Sequence, residues 1–341
     1  MISARTIRRE AKHDAILRTA LLERLKELHP MRERADMKVF ELDSTQRLRE
    51  RVAAFEQELA QKIMREDRPR TKEAMAQALM RLAQLAGQPL KRHYLAERGE
   101  AGFNAKGIVI PGAEAREDSL SILTAGLATQ KKEKRTLPIV TDKVTTQTET
   151  HLRHRDQYWL INPMDGREHK DVSISIAFIE KGKPLMGITH FPRLDRTYAG
   201  IPAEKWVMAQ TGKVTRKIKS KTRDQFKRVA AAPHGARKSD IFTAYKRNHD
   251  VTRIFGENSA AYGLCRMAQG SFDLYLHHTM LPQASLAAAH AIAIAAGGVV
   301  TREDGSAIVY SPSVNTPSAP AFVAASAQGI LKHKDNKRLV A

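Results

Sequence analysis

The chain has 341 residues, 42% of them hydrophobic and 28% charged, with a formal net charge of +20 and a single cysteine, Cys265. That is ordinary for a soluble globular protein and enough to bury one or two sizeable cores, while the lone cysteine excludes an intramolecular disulfide and suits a reducing compartment. The excess positive charge favours anionic partners (nucleic acid, an anionic membrane face or small phosphorylated molecules) without choosing among them.

The opening "MISARTIRREAKHD" lacks the apolar core of a signal peptide. No run of about 18 apolar residues occurs, so no membrane span is expected and the cytoplasm is the default location. Residues 1–72 read as a charged helical extension. Ile16, Leu17, Leu21, Leu25 and Leu28 recur at helical spacing, and Leu48, Val52, Phe55, Leu59 and Ile63 form a second stripe close to a coiled-coil seam. Asp43 with Gln46 is expected to cap the second helix, with Pro69 just past its end. Mixed charge signs on the other faces favour a helical hairpin packed on the main domain or on a dimer mate over a nucleic-acid arm.

A third helix is expected around Ala74 to Tyr94, with Leu79, Leu82, Leu85 and Ala86 inward, then a glycine-rich loop with a short strand over 95–112. "TLPIVTDK" reads as a short strand ending at Asp142, and "QYWLINP" as the next strand. "DVSISIAFIEKGKPLMGITHFPRLDRTYAG" alternates with period two around a Lys-Gly-Lys-Pro turn and predicts a hairpin. The stretch 213–228 reads as a basic surface, without the aromatic interleaving of single-strand binders. Ala260 to Arg266 reads as helix, "SFDLYLHH" as strand, "PQASLAAAHAIAIAAGG" as a buried helix, and "VVTREDGSAIVY" as a hairpin. The main domain is placed at 73–330 and a basic tail at 331–341. Interleaved helices and antiparallel hairpins predict a layered α/β protein. Neither GxGxxG nor GxxxxGK[ST] is present.

Two predicted strands deliver acids to their carboxyl ends, Asp142 and Asp165, where ligands favour crevices. Carboxylates near a backbone carbonyl suit Mg²⁺, a hard cation, although Pro-x-Asp-Gly alone is ordinary turn chemistry. The context is more specific. "YWLINPMDGREHK" followed by that hairpin, "LPIVTDK" upstream, "CRMAQGSFDLYLHHTMLPQASLAAAHAIAIAAGGVVT" downstream and "ALMRLAQLAGQPLKRHY" as a first helix resemble the inositol monophosphatase superfamily, most of all its 3'(2'),5'-bisphosphate nucleotidase branch, over roughly residues 75 to 325. The resemblance implies an αβαβα fold and Mg²⁺-dependent hydrolysis of phosphomonoesters, in which metal ions bridge phosphate and activate water.

Placed on this sequence, the resemblance implies Asp165 and Asp142 as catalytic acids, and Asp142, Asn162, Met164 (through its carbonyl), Asp165 and Ser285 as the metal-ligand positions. Several depart from the family pattern. Asp142 stands at a Glu, and Lys143 at a second Glu. Asn162 stands at an Asp, Arg167 at a Thr, and Ala284-Ser285 at Trp-Asp. The upstream Thr-x-x-Asp has no clear match in "VIPGAEARED", where Glu114 or Asp118 stands in only after a realignment that the spacing does not support. Cations at about 4–6 Å would repel Mg²⁺ by several kcal/mol, whereas an arginine fork grips phosphate unaided. Lys143, Gly166 and Arg167 are therefore the candidate phosphate-binding set.

The expected function is phosphomonoesterase-like action on a small anionic phosphorylated metabolite, weak or absent because metal ligands are substituted. The alternative is a non-catalytic pseudoenzyme that binds a phosphate ligand or nucleic acid, with a homodimer through the fold or the N-terminal helices left open. Mg²⁺ is the implied cofactor of an active form. Of the remaining candidates, His151, His154, His169 and the pair His277-His278 read as solvated rather than as a Zn²⁺ site, and His290 and Cys265 as core.

Overall fold

The computed structural model describes residues 4–28, 43–66, 71–98, 113–132, 135–145, 149–150, 155–166, 172–224, 228–234, 250–311 and 318–327, with isolated residues between them. The expected cap-side Pro69, the short strand within 99–112, Phe226 of the basic stretch and most of the tail lie outside these residues, as do Arg167, His151, His154 and His169.

Two long helices, α1 (Ala4–Leu28) and α2 (Thr45–Glu66), pack on each other through Leu21, Leu25, Leu48 and Val52. The buried line of α2 is not the apolar stripe alone. It runs Leu48, Val52, Glu56, Ala60, Met64, while Phe55, Leu59 and Ile63 are half-buried. Steps of four overrun the 3.6-residue turn, so this line winds around α2 and carries its buried face from α1 toward α3 (Lys72–Arg98) and α4 (Ala113–Leu127). The expected Asp43–Gln46 box does not form. Ser44 Oγ accepts from Arg47 N at 3.3 Å, Asp43 pairs with Arg51 at 2.8 Å, and Gln46 donates to Glu50 at 2.9 Å. Ion pairing with the neighbouring basic side chains outcompetes the local cap for the Asp43 carboxylate.

Beneath the helices lies a seven-stranded sheet in the order β3-β4-β5-β6-β7-β8-β9. Its strands are β3 (Ile139–Val140), β4 (Gln157–Asp165), β5 (Ser173–Glu180), β6 (Lys183–Phe191), β7 (Arg196–Ile201), β8 (Trp206–Thr211) and β9 (Val214–Lys217). Beyond β3, which runs parallel to β4, it is an antiparallel meander. The predicted β5–β6 hairpin turns at Lys181 (φ 48°) and Gly182 (φ 71°), the left-handed pair that a tight hairpin demands. A small ladder, β1 (Lys131–Lys132) with β2 (Arg135–Thr136), precedes the sheet. On the far side come α5 (Ala260–Ala268) and α6 (Gln283–Ala295), and then a five-stranded sheet ordered β11-β10-β12-β16-β14. It comprises β10 (Arg228–Ala232), β11 (Val251–Gly256), β12 (Leu274–His277), β14 (Val299–Arg302) and β16 (Phe322–Ala325), with β13 (Leu281–Pro282) and β15 (Ser318–Ala319) as a short separate ladder.

Among the described residues, helices, sheet, helices and sheet thus stack in four layers. One expectation is corrected. "VVTREDGSAIVY" is not a hairpin, because β14 takes β16 as its antiparallel partner. After a turn at Gly305, residues 306–310 run back to the first sheet, where Tyr310 N donates to Gly182 O at 2.9 Å and Tyr158 Oη donates to Tyr310 O at 2.9 Å.

The position of β4 explains its unbroken apolar run. Trp159 and Ile161 face the α2–α4 core, and Tyr158 and Leu160 face the core around α5 and α6. A strand covered on both faces has no polar side to alternate with. Helix α6 seats against glycines paired across β6 and β7, Gly187 and Gly200. A Cβ on Gly187 would fall 2.1 Å from the Ala288 carbonyl oxygen, and one on Gly200 would fall 2.7 Å from Ile292 Cα. This close approach accounts for the alanine-rich α6. Gly187→Ala is therefore expected to push the α6 backbone outward and destabilise the fold by about 3 kcal/mol, at the upper end of overpacking effects. Urea unfolding measures this, and a variant within about 0.5 kcal/mol of wild type would contradict the close contact.

Candidate functional site

The site forms where β4 ends against the first turn of α6. Asn162 opposes Ser175 and Asp165 opposes Ser173, so the strand carries an irregularity between them, at Pro163-Met164. Proline cannot donate to a ladder and is tolerated at a bulge. The bulge turns Asp165 toward the helix, and Gly166, at φ 94°, lets the chain leave sharply.

The buried Asn162 uses both ends of its amide. Its Oδ1 accepts from Met164 N at 3.1 Å, which fixes the turn, and its Nδ2 donates to Ser285 Oγ at 3.0 Å. Ser285 in turn donates to the Asp165 carboxylate, as does the Gly166 N–H. Burial pushes the Asp165 carboxyl above the ordinary aspartate range and outweighs those two hydrogen bonds, and the neighbouring Asp142 charge pushes the same way. The sequence-predicted residues Asn162, Asp165 and Ser285 are thus brought into direct contact, with Asp142 close enough to act on Asp165 through its charge. Met164 is half-buried, its side chain against the outer core.

The cations differ from expectation. Lys143 is exposed. The cation that meets Asp142 is Arg116, whose Nη2 lies 2.5 Å from Asp142 Oδ1, both side chains being largely shielded. Arg116 belongs to the first two turns of α4, within the "GAEARED" stretch. The two acids there that were candidate stand-ins are committed elsewhere. Arg49 of α2 grips Asp118 with Nε and Nη2 at 2.9 and 3.0 Å and meets Glu114 at 2.7 Å. The signal for Arg116 was a lone arginine among acids in a segment that the chain order places beside the Asp142 strand.

This donor set does not fit a Mg²⁺ centre. Mg²⁺ takes oxygen ligands in strict octahedral geometry and gives up its water reluctantly. Asp142 already has a guanidinium counter-ion, and Asn162 and Ser285 spend their polar atoms on each other, on Met164 and on Asp165. Among the described residues, no group of three or more His, Cys, Asp or Glu side chains is arranged to hold a metal. His277 is stacked between Tyr275 and Phe322 at 6.2 and 5.4 Å, and His290 bonds the Tyr310 hydroxyl at 2.8 Å. Both are core groups, as is Cys265, whose thiol is pushed up by burial. No helix among the described residues is long and apolar enough to cross a membrane.

Comparisons with known proteins agree with this architecture. The model of the inositol monophosphatase family matches residues 71–340. The 3'(2'),5'-bisphosphate nucleotidase CysQ of Salmonella typhimurium is 29% identical over 168 residues, which covers 47% of this chain and 65% of that protein. The Escherichia coli K12 protein of the same name is 26% identical over 165 residues, with the same coverage. The chain therefore spans just under two thirds of these relatives' length. Among solved structures, CysQ of Bacteroides thetaiotaomicron superposes with a TM-score of 0.59 at 19% identity, covering 75% of this chain and 98% of that one. The family match begins after helices α1 and α2, which pack on each other and on α3 and α4; from residue 71 onward, this chain belongs to the inositol monophosphatase family.

Proposed function

We propose that this protein binds a small phosphorylated anion at the β4–α6 site and that its phosphomonoesterase activity is weak or absent. The observation that carries this reading is the Arg116–Asp142 ion pair beside an Asn162–Ser285–Asp165 hydrogen-bond chain. Positions from which the family resemblance draws metal ligands are filled by groups that satisfy one another. Positive elements converge on the same place: the Arg116 guanidinium, the N-terminal end of α6 and the net charge of +20. A guanidinium fork and backbone N–H groups suit a phosphate oxyanion without metal. Nucleotide bisphosphates, the substrates named for the CysQ relatives, are the ligand class to try first.

Two measurements test the proposal. Phosphate release from adenosine 3',5'-bisphosphate and from inositol monophosphate is expected to stay at background across a Mg²⁺ series. Calorimetry with the bisphosphate in chelator is expected to show binding. Mg²⁺-dependent turnover abolished by Asp165→Asn would refute the weak-activity part and restore a working metal centre. Nucleic acid is the second reading, favoured by the exposed basic edge strand β9 and the segment after it. It predicts a steep salt dependence in gel shifts.

A further inference from the structure

Asp142 and Asp165 bring two carboxylates close together in a largely shielded site, and like charges held together need a cation close by. We infer that Arg116 is that cation, a guanidinium tethered to the chain that replaces a divalent metal as the counter-ion of Asp142, and that helix α2 holds it there through Arg49. The ligand-facing part of this inference rests on the binding reading above. The counter-ion part does not.

The geometry is specific. Glu114 and Asp118 flank Arg116 at two residues on either side, about 200° around the helix, so they leave α4 on the face opposite Arg116. Arg49 takes that opposite face with a fork: Nε and Nη2 to Asp118 at 2.9 and 3.0 Å, Nη2 to the Glu114 carbonyl at 3.0 Å, and Nη1 to the Glu114 carboxylate at 2.7 Å. The start of α4 is thus clamped between an arginine of the N-terminal helices and Asp142. A cation near a helix N-terminus is disfavoured by the macrodipole, so Arg116 is held in its place by this frame and not by its own helix. A guanidinium has five N–H donors. The ion pair to Asp142 engages Nη2, and the rest of the fork suits the oxygens of a bound phosphate. The N-terminal helices, which the family match leaves out, would then form part of the site's frame: Arg49 is a positioning residue and Arg116 a ligand-binding one.

The test is a Mn²⁺ titration of the full chain, read by electron paramagnetic resonance, with folding checked by circular dichroism. Wild type is expected to show no saturable site at millimolar Mn²⁺. Arg116→Gln, by freeing Asp142, is expected to bind at least about tenfold more tightly, and the gain is expected to vanish in Arg116→Gln/Asp142→Asn. Arg49→Ala, by loosening α4, is expected to give a smaller gain in the same direction. If Arg116→Gln fails to fold, Arg116→Lys is read instead: it keeps the charge and is expected to go on excluding Mn²⁺ while weakening binding of adenosine 3',5'-bisphosphate. Wild type binding Mn²⁺ as tightly as Arg116→Gln, a folded Arg116→Gln with no gain, or Arg116→Lys admitting Mn²⁺ would each overturn the counter-ion assignment. An Arg49→Ala protein indistinguishable from wild type in both Mn²⁺ and bisphosphate binding would overturn the role of α2. Failure of wild type to bind the bisphosphate, with the Mn²⁺ gain intact, would sink the ligand-binding reading alone.

Discussion

Replacing Glu56 by alanine is expected to destabilise the protein by about 3–5 kcal/mol, the usual result of removing one partner from a buried ion pair. Glu56 is fully buried at the junction of α1, α2 and α3. Its Oε1 accepts from Arg24 Nε at 3.0 Å and from Arg92 Nη1 at 2.7 Å, and its Oε2 accepts from Arg92 Nη2 at 2.8 Å. Loss of the carboxylate leaves two shielded guanidinium groups facing each other with their shared counter-charge gone. Glu56→Gln keeps one acceptor oxygen but turns an amide N–H toward a guanidinium donor, so it is expected to recover only part of the loss. Replacing Glu56, Arg24 and Arg92 together by apolar residues of similar volume is expected to recover much of the loss, because the triad's attraction is largely offset by its own desolvation. Urea denaturation of the set reads all of this. A Glu56→Ala protein as stable as wild type would mean that the junction admits water or a substitute anion. Since α2 also supplies Arg49, Glu56→Ala is expected to loosen the frame of the candidate site as well.

The second large effect is in acid. Burial holds three histidines far below their ordinary value of 6.5: His190 at about 3, and His277 and His290 at about 4. Each is neutral in the folded protein and takes up a proton readily only when unfolded. Their contribution is therefore complete above pH 6.5 and is lost as the pH falls toward those values. The slope is about 1.4 kcal/mol per pH unit for each histidine. Together they remove on the order of 10 kcal/mol between neutral pH and about 4, comparable with the whole stability of a typical domain. Asp165 works against this. Its raised carboxyl favours the folded state as it protonates, so it offsets part of the loss at the acid end. Unfolding curves at pH 7.5, 6.5, 5.5 and 4.5 should show stability falling progressively, and His290→Gln should flatten the fall by about one histidine's share. A flat profile from neutrality to pH 5 would show that these rings are accessible to protons in the folded state.

The elements that were legible in the sequence share a feature: their signals are local. Period-two alternation with Lys181-Gly182 marks a hairpin because only a left-handed pair closes that turn. The run over 158–161 marks a buried strand, because nothing charged or amide-bearing interrupts it before Asn162. The approach of Asn162, Asp165 and Ser285 was also legible, through a resemblance carried by blocks in a fixed order. What failed was legible only in space. The sequence stripe on α2 counted Phe55 and passed over Glu56, since a buried carboxylate looks like a surface one until Arg24 and Arg92, 32 and 36 residues away, are seen to meet it. The terminal hairpin failed because β14 prefers a partner about twenty residues on to its nearest neighbour in sequence.

Composition and order alone determined a basic, cysteine-poor α/β chain of the inositol monophosphatase family, with an Asn-Pro-Met-Asp-Gly turn after the apolar run at 158–161. They also offered Lys143 and Arg167 as cations beside Asp142 and Asp165, without fixing which cation meets Asp142. Only the tertiary structure decided which cation. Lys143, next to Asp142 in the chain, is exposed to water, and Arg116, 26 residues earlier, makes the contact. Charge is a property of composition, but Coulomb attraction acts over a few ångströms of space. Which charges fall within that range is fixed by the packing of α2, α4 and β4 and by no feature of the chain's order.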